Sequence, residues 1–206
     1  MTTQTLRALA VAGALALLIL PAELQGQWGG EFRMQMGIGG DAIAGVEYSD
    51  GSDSELKLGT YFSFTAGPIF DLWSSDNAAV ELQGMVGWAG WSTGPENTDD
   101  RLSLSRFPTD LLVFYRHSIP GRDMSIRVGG GIAHHVLSDV GGSGSLENFE
   151  LGVENSTGPV AEVSMVFGIL SAGVRYTQMN NVVEGIGDPL AGTSVGLFFG
   201  LTNPRN

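Results

Sequence analysis

Apolar and polar residues alternate along most of the chain from residue 31 onward. In the first segment, Phe32, Met34 and Met36 alternate with Arg33 and Gln35. A period of two places successive side chains on opposite faces of a β-strand. The pattern returns seven more times, and it predicts eight strands with one apolar and one polar face each. The predicted strands cover residues 31–38, 55–64, 80–88, 101–117, 125–132, 161–167, 172–177 and 194–201.

The fourth predicted strand changes its pattern partway along. Leu102 and Leu104 lie on one phase of the alternation, whereas Leu111 and Val113 lie on the other. Proline is confined to edges and bulges within sheets. We therefore interpret Pro108 as the site of a β-bulge that shifts the phase of this strand.

The connections between the predicted strands alternate in length. Short connections cover residues 71–78, 117–123 and 168–170, and long polar connections cover residues 41–54, 92–100, 138–157 and 180–192. Short turns at one end and long loops at the other are typical of a transmembrane β-barrel. The sequence thus predicts an all-β fold, an eight-stranded antiparallel up-and-down transmembrane β-barrel.

The polar phase of the strands contains glycine, serine and charges of both signs in equal number. A soluble, lipocalin-like barrel would carry many interspersed lysines and glutamates on its water-facing side, but this chain has a single lysine, Lys57. Eight strands leave a lumen barely wide enough for side chains, so charges inside it must be paired. We predict a lumen charge network that either plugs the barrel or lines a narrow pore. Its members are Glu31, Arg33, Glu55, Lys57, Glu81, Asp110, Arg116, Arg127, Glu162 and Arg175.

The amino terminus has the pattern of an export signal. Arg7 precedes an unbroken apolar run over residues 8–20, and Pro21 and small residues follow. A spanning helix needs about 20 apolar residues, and this run is shorter. We predict a cleaved signal-peptide helix over residues 1–26, which directs export, and a barrel domain over residues 27–206.

Composition and charge narrow the choice of partners. The chain of 206 residues carries Lys+Arg 10 against Asp+Glu 22, a net charge of -12, and no cysteine. This balance excludes nucleic acid as a partner, and the lack of cysteine excludes disulfides and thiolate metal sites. The long loops are acidic and contain no lysine or arginine. They predict a surface for divalent cations or basic partners, while Arg101 and Arg106 are expected to contact lipid phosphates.

Three strand sequences carry a resemblance to a known group of proteins. They are Arg-Val-Gly-Gly-Gly-Ile-Ala at 127–133, Gly-Val-Arg-Tyr-Thr at 173–177 and Ser-Val-Gly-Leu-Phe-Phe-Gly at 194–200. Together with the signal and the alternation, they resemble the small Gram-negative outer-membrane β-barrel proteins, the OmpA/OmpX/OmpW-like superfamily. The resemblance implies a place in the cell outer membrane, contact with lipopolysaccharide, and a structural or interaction role with narrow, porin-like passage of small solutes.

Candidate catalytic residues are few. Lipid A deacylases, which are barrels of this general kind, use a His and a Ser two residues apart on one strand face. Here His135 and Ser138 point to opposite faces, and His134 and Ser138 are about 13 Å apart at 3.3 Å per residue. We predict no catalytic site, no cofactor and no metal site. A lipid-modifying barrel enzyme and a secreted lipocalin-like binding barrel remain the alternatives.

Overall fold

The structure is a computed structural model that describes residues 28–47, 53–94 and 100–203. The predicted signal peptide over residues 1–26 lies outside the described residues. One short 3₁₀ helix, Gly144–Leu146, accompanies the strands. The strands are β1 Trp28–Gly39, β2 Ala42–Glu47, β3 Asp53–Lys57, β4 Tyr61–Ser75, β5 Ala78–Thr93, β6 Arg101–Ser118, β7 Met124–Ser143, β8 Ser156–Phe167, β9 Leu170–Thr177, β10 Asn180–Asn181, β11 Leu190–Ala191 and β12 Ser194–Thr202.

Eight of these strands form one closed antiparallel barrel, in the order β1-β12-β9-β8-β7-β6-β5-β4. The first and last strands close it, with Met36 opposite Leu197. Each barrel strand therefore pairs with the barrel strands before and after it in the chain. The remaining four strands form two small hairpins, β2-β3 and β10-β11, within the long connections. The predicted eight-stranded, up-and-down barrel is confirmed.

The two ends of the barrel differ as predicted. The end that we call the turn end carries three short connections, between β4 and β5, β6 and β7, and β8 and β9. Two of these turns contain a glycine with positive φ, Gly121 at 74° and Gly168 at 55°, a conformation that disfavours other residues. The opposite end, the loop end, carries the four long connections and both hairpins.

The second predicted strand is two strands. β3 ends at Lys57, a turn follows, and β4 begins at Tyr61. Leu56 and Leu58 were expected on the outer face with Phe64, yet both are fully buried at the loop end. Apolar residues occur on both sides of this turn, so the alternation continues through it, but they have different roles. Upstream they cover the barrel end, and downstream they face outward.

The predicted bulge at Pro108 is wrong. Along β6, even-numbered residues from Leu102 to Phe114 all face inward. The register irregularity lies in β7, where residues 137 and 139 pair with Arg106 and Ser105. The apolar residues of β6 change phase because their surroundings change: Leu102 and Leu104 pack into the apolar loop end of the lumen, whereas Leu111 and Val113 face outward. Beyond Asp110 the inward positions 112 and 114 are apolar as well.

The outer face of the barrel is apolar on every one of its strands. Each barrel strand carries large, uncharged and exposed side chains on this face, whereas the inward side chains of the same strands are mostly polar or charged. This is the reverse of a soluble barrel and the arrangement of a barrel that stands in lipid. Exposed outward residues include Met34, Met36, Phe64, Val86, Leu111, Val113, Val128, Ile132, Val163, Val174, Leu197 and Phe199.

Aromatic residues gather on the outer face close to the turn end. Trp28, Trp73 and Phe167 are all exposed there, and the Trp28 ring packs edge-on against Phe70 with 4.1 Å between centroids. Amphipathic rings at this level are typical of a membrane–water interface. Among the described residues, no helix combines the length and apolarity that a bilayer crossing requires.

Candidate functional site

Paired charges fill the middle of the lumen, and Glu31 on β1 is their centre. Its carboxylate lies 2.9 Å from Arg33 Nε and 2.9 Å from Arg127 Nη1. It also accepts hydrogen bonds from Gln83 Nε2 at 2.8 Å and Ser171 Oγ at 2.6 Å. One buried carboxylate thus connects strands β1, β5, β7 and β9, which an eight-stranded lumen is narrow enough to allow.

Arg127 and a further arginine, Arg116, extend the network toward the turn end. Arg127 Nε and Arg116 Nε lie 2.9 Å and 2.6 Å from the two oxygens of Glu81. Arg116 also donates to Ser118 Oγ at 3.2 Å and lies 3.8 Å from Asp71. Glu81 is fully buried whereas Arg116 is partly exposed, so this pair marks the turn-end edge of the network.

The network also extends toward the loop end through Glu162 on β8. Arg33 Nη1 and Arg175 Nη1 lie 2.7 Å and 2.9 Å from its two oxygens. Arg175 then holds Asp110 with two parallel hydrogen bonds of 2.7 Å and 2.9 Å, and donates to Thr177 at 3.0 Å. This bidentate geometry is the strongest form of an arginine–carboxylate contact. The chain of ion pairs is continuous from Arg116 to Asp110.

The structure brings together every predicted member of the network except two. Glu55 and Lys57 contact one another at 3.2 Å, but on the outside of the β2-β3 hairpin, with side chains 51% and 46% exposed. Their placement in the lumen was wrong because the alternation was read through the turn between β3 and β4. The pair lies in solvent at the loop end.

The lumen also holds several polar residues that were not predicted to lie there. Gln83 bridges Glu31 and two arginines, and Gln35 donates to the Tyr61 hydroxyl. Arg106 was expected to contact lipid phosphates, yet it points inward and is buried. Arg106 and Asp110 are both even-numbered residues of β6, so the alternation alone would have placed them on the same, inward face. The bulge predicted at Pro108 led to the opposite assignment for Arg106.

Apolar side chains cover the lumen at the loop end. We call this group the apolar cap: Ile43, Leu56, Leu58, Leu102, Leu104, Val140 and Val183. Trp91, Phe149 and Leu190 pack against it. The long connections thus fold inward, and the cap lies directly above Arg106, which donates to the Leu58 carbonyl oxygen. Water and solutes meet an apolar layer at this end of the barrel.

A small polar cavity opens at the opposite, turn end. Its volume is about 190 Å³, and Arg116, Arg122, Arg127, Glu81 and Asp123 contribute to its walls. We call it the turn-end vestibule. It ends at the Arg127–Glu81 pair, so the ionic network forms its floor.

The histidines are not arranged as a catalytic pair in the described residues. His134 Nδ1 lies 2.7 Å from Thr157 Oγ1 toward the outside of the barrel, whereas His135 is buried in the lumen. The side chain of Ser138 is not among those described. Within the described part of the chain, no three His, Asp or Glu side chains lie together in a way that suits a metal ion.

Comparison with known proteins gives likeness of fold alone. No family model and no curated protein matches the chain. It is similar to the outer membrane protein OprG from Pseudomonas aeruginosa, with 14% identity and a TM-score of 0.47, over 86% of this chain and 98% of that one. It is also similar to outer membrane protein AlkL, with 16% identity and a TM-score of 0.46, over 87% of this chain and 90% of that one. A third similar structure is the attachment invasion locus protein Ail of Yersinia pestis, with 10% identity and a TM-score of 0.42, over 87% of this chain and 99% of that one. The fold assignment rests on the strand pairing of this chain itself.

Proposed function

We propose that this protein is a structural and interaction barrel of a cell outer membrane, with a lumen that is closed to the passage of solutes. One observation carries the proposal: continuous ion pairs cross the lumen from Arg116 to Asp110, and the apolar cap covers its loop end. A passing ion would have to separate buried pairs and then cross an apolar layer, each of which costs several kcal/mol.

The apolar outer face supports the location. Large apolar side chains stand exposed on all the barrel strands, with aromatic side chains at the turn end, and a lipid bilayer is the environment that suits both. Export through the predicted signal and contact with lipopolysaccharide form part of this proposal. Recovery of the native protein in a soluble fraction would contradict it in favour of a lipocalin-like barrel.

The loop end supplies the interaction surface. Asp53, Asp100, Glu147, Glu150 and Glu184 belong to its connections, and Lys57 is the one base of its hairpins among the described residues. Such a surface favours divalent cations or basic partners and repels polyanions. Binding of a lysine-rich probe peptide to the folded barrel should weaken as salt is raised, and binding that ignores salt would contradict this role.

Conductance distinguishes a closed barrel from a narrow pore. Wild-type protein in planar bilayers is expected to give no steady channel currents, because the turn-end vestibule ends at the Arg127–Glu81 pair. The double variant Arg127→Ala/Arg175→Ala should unfold at a lower temperature in detergent and change the conductance little. Uniform, ion-selective channels from the wild type would establish the porin-like alternative instead.

We also propose that the barrel is not an enzyme. The support is that His134 Nδ1 contacts the Thr157 hydroxyl rather than a carboxylate, and that His135 faces the lumen rather than lipid. Release of fatty acid from lipopolysaccharide by the purified barrel, lost in His134→Gln, would overturn this part of the proposal in favour of a lipid-modifying barrel enzyme.

A further inference from the structure

Among the described residues, one buried arginine in the lumen has no carboxylate partner. Arg33, Arg116, Arg127 and Arg175 each lie within 2.9 Å of a carboxylate oxygen. Arg106, which is 2% exposed, instead donates through Nη1 to the Leu58 carbonyl oxygen at 2.9 Å. Its Nε has no hydrogen-bond partner in the described part of the chain. A guanidinium cannot lose its charge in a protein, so this buried charge lacks a counter-charge among the described residues.

A second polar group without a partner lies beside it. His135 on β7 pairs across the sheet with Pro108, and both Arg106 and His135 face the lumen. Diagonal neighbours of this kind are roughly 7–8 Å apart at the backbone, within reach of an arginine side chain. The His135 Nδ1 atom is buried and has no hydrogen-bond partner among the described residues. One tautomer of the imidazole would donate from this atom.

The surroundings select a small anion with two oxygens. Nη1 is engaged by Leu58, whereas Nε has no partner among the described residues, so a ligand would bind on the side of the guanidinium that carries Nε. Two parallel N–H groups match the two oxygens of a carboxylate. The Tyr61 ring covers one face of the guanidinium at 4.5 Å, and the apolar cap excludes water from above. The nearest lumen acid on β6, Asp110, is already held by both nitrogens of Arg175.

We propose that Arg106 and His135 form a binding site for a small carboxylate anion, of the size of formate or acetate, in the loop half of the lumen. The bound carboxylate supplies the counter-charge that Arg106 lacks and accepts a hydrogen bond from His135. The site lies above the closed ion-pair network and is a separate property of the barrel, so its failure would leave the closed-lumen proposal standing.

The test compares sodium formate with sodium chloride at equal ionic strength, with the full barrel folded in detergent. A ligand that binds only the folded state raises Tm, by about 3 to 6 °C at ten times its Kd for a protein of this size. We expect this saturable, formate-specific rise in the wild type and in Arg101→Gln, which removes an exposed arginine from the same strand. Arg106→Met should abolish it.

Two further variants keep the result interpretable if Arg106→Met does not fold. Arg106→Lys retains the charge but not the paired N–H groups, and should weaken formate binding roughly tenfold. His135→Phe removes the second donor and should also weaken it. Equal Tm in formate and chloride for the wild type would overturn the proposal, as would an undiminished formate response in Arg106→Lys.

Discussion

Removal of Arg175 is the change that should reveal most about the ion-pair network. Its guanidinium holds Asp110 at 2.7 and 2.9 Å and Glu162 at 2.9 Å, and all three side chains are buried. In Arg175→Met, a side chain of similar length fills the space, so the loss of charge dominates. Glu162 keeps Arg33 at 2.7 Å, whereas Asp110 loses the one ion-pair partner it has among the described residues.

The expected loss follows from that uncompensated carboxylate. Breaking a buried ion pair by removing one partner costs about 3 to 5 kcal/mol. For a protein of this size, each kcal/mol lowers Tm by about 2 to 4 °C, which gives a fall of about 6 to 20 °C. Lys57→Met provides the matched control, because the exposed Lys57–Glu55 pair contributes at most about 1 kcal/mol.

A double variant separates the charge effect from packing. Arg175→Met/Asp110→Asn removes both partners, and it should recover more than about 1 kcal/mol of the loss because no buried carboxylate is left without a cation. The assay is urea unfolding of the barrel in lipid vesicles, followed by tryptophan fluorescence and by heat-modifiable gel mobility. Equal stability of Arg175→Met and Lys57→Met, or no recovery on adding Asp110→Asn, would contradict a buried, uncompensated Asp110 as the cause of the loss.

Further predictions concern the two faces of the barrel wall. Gly131→Ala should destabilise the barrel by about 1 to 3 kcal/mol, because a Cβ there would lie 2.0 Å from the Leu111 carbonyl oxygen, whereas Gly84→Ala should be tolerated because nothing lies within 4 Å. Urea unfolding compares the two, and equal stabilities would contradict the close strand contact. Leu111→Arg on the exposed apolar face should lower the free energy of unfolding in vesicles by about 2 to 4 kcal/mol. Ser103→Arg, on the same face of β6 but near the loop end, should lower it little, and an equal loss at both positions would contradict an outer face in lipid.

Much of the barrel could be predicted because its signal is local. A period of two survives in each strand, and the approximate extents of strands and loops follow from where this alternation begins and ends. Glu31, Arg127 and Arg175 could be placed in the lumen because their neighbours along the strand are apolar. Those neighbours face lipid, so the charged side chains face the other way. Their individual partners, such as Glu162 for Arg33, depend on the register of strands far apart in the chain, which the alternation does not encode.

The incorrect predictions lie near the loop end, where the rule of an apolar outside and a polar inside ceases to hold. Above the lipid, the lumen itself becomes apolar, so Leu104 and Leu58 face inward. If the apolar face of every strand is taken to be the outer face along its whole length, Lys57 is placed in the lumen and Arg106 on the outside. Both placements are wrong. Only knowledge of where lipid ends along each strand would have prevented this.

The reaction of single cysteines with a charged, water-soluble thiol reagent tests the central claim, a membrane barrel with a closed lumen. The chain contains no cysteine, so each substitution is read alone. For barrels folded in vesicles, cysteines replacing Leu111, Leu112, Val113 or Phe114 should all stay unmodified, while one replacing Ser103 reacts. Residues 111 and 113 face lipid, whereas residues 112 and 114 face the closed lumen. Rapid reaction at residues 112 and 114 would show a water-filled lumen, and reaction at 111 and 113 would show an outer face in water; either result contradicts the account.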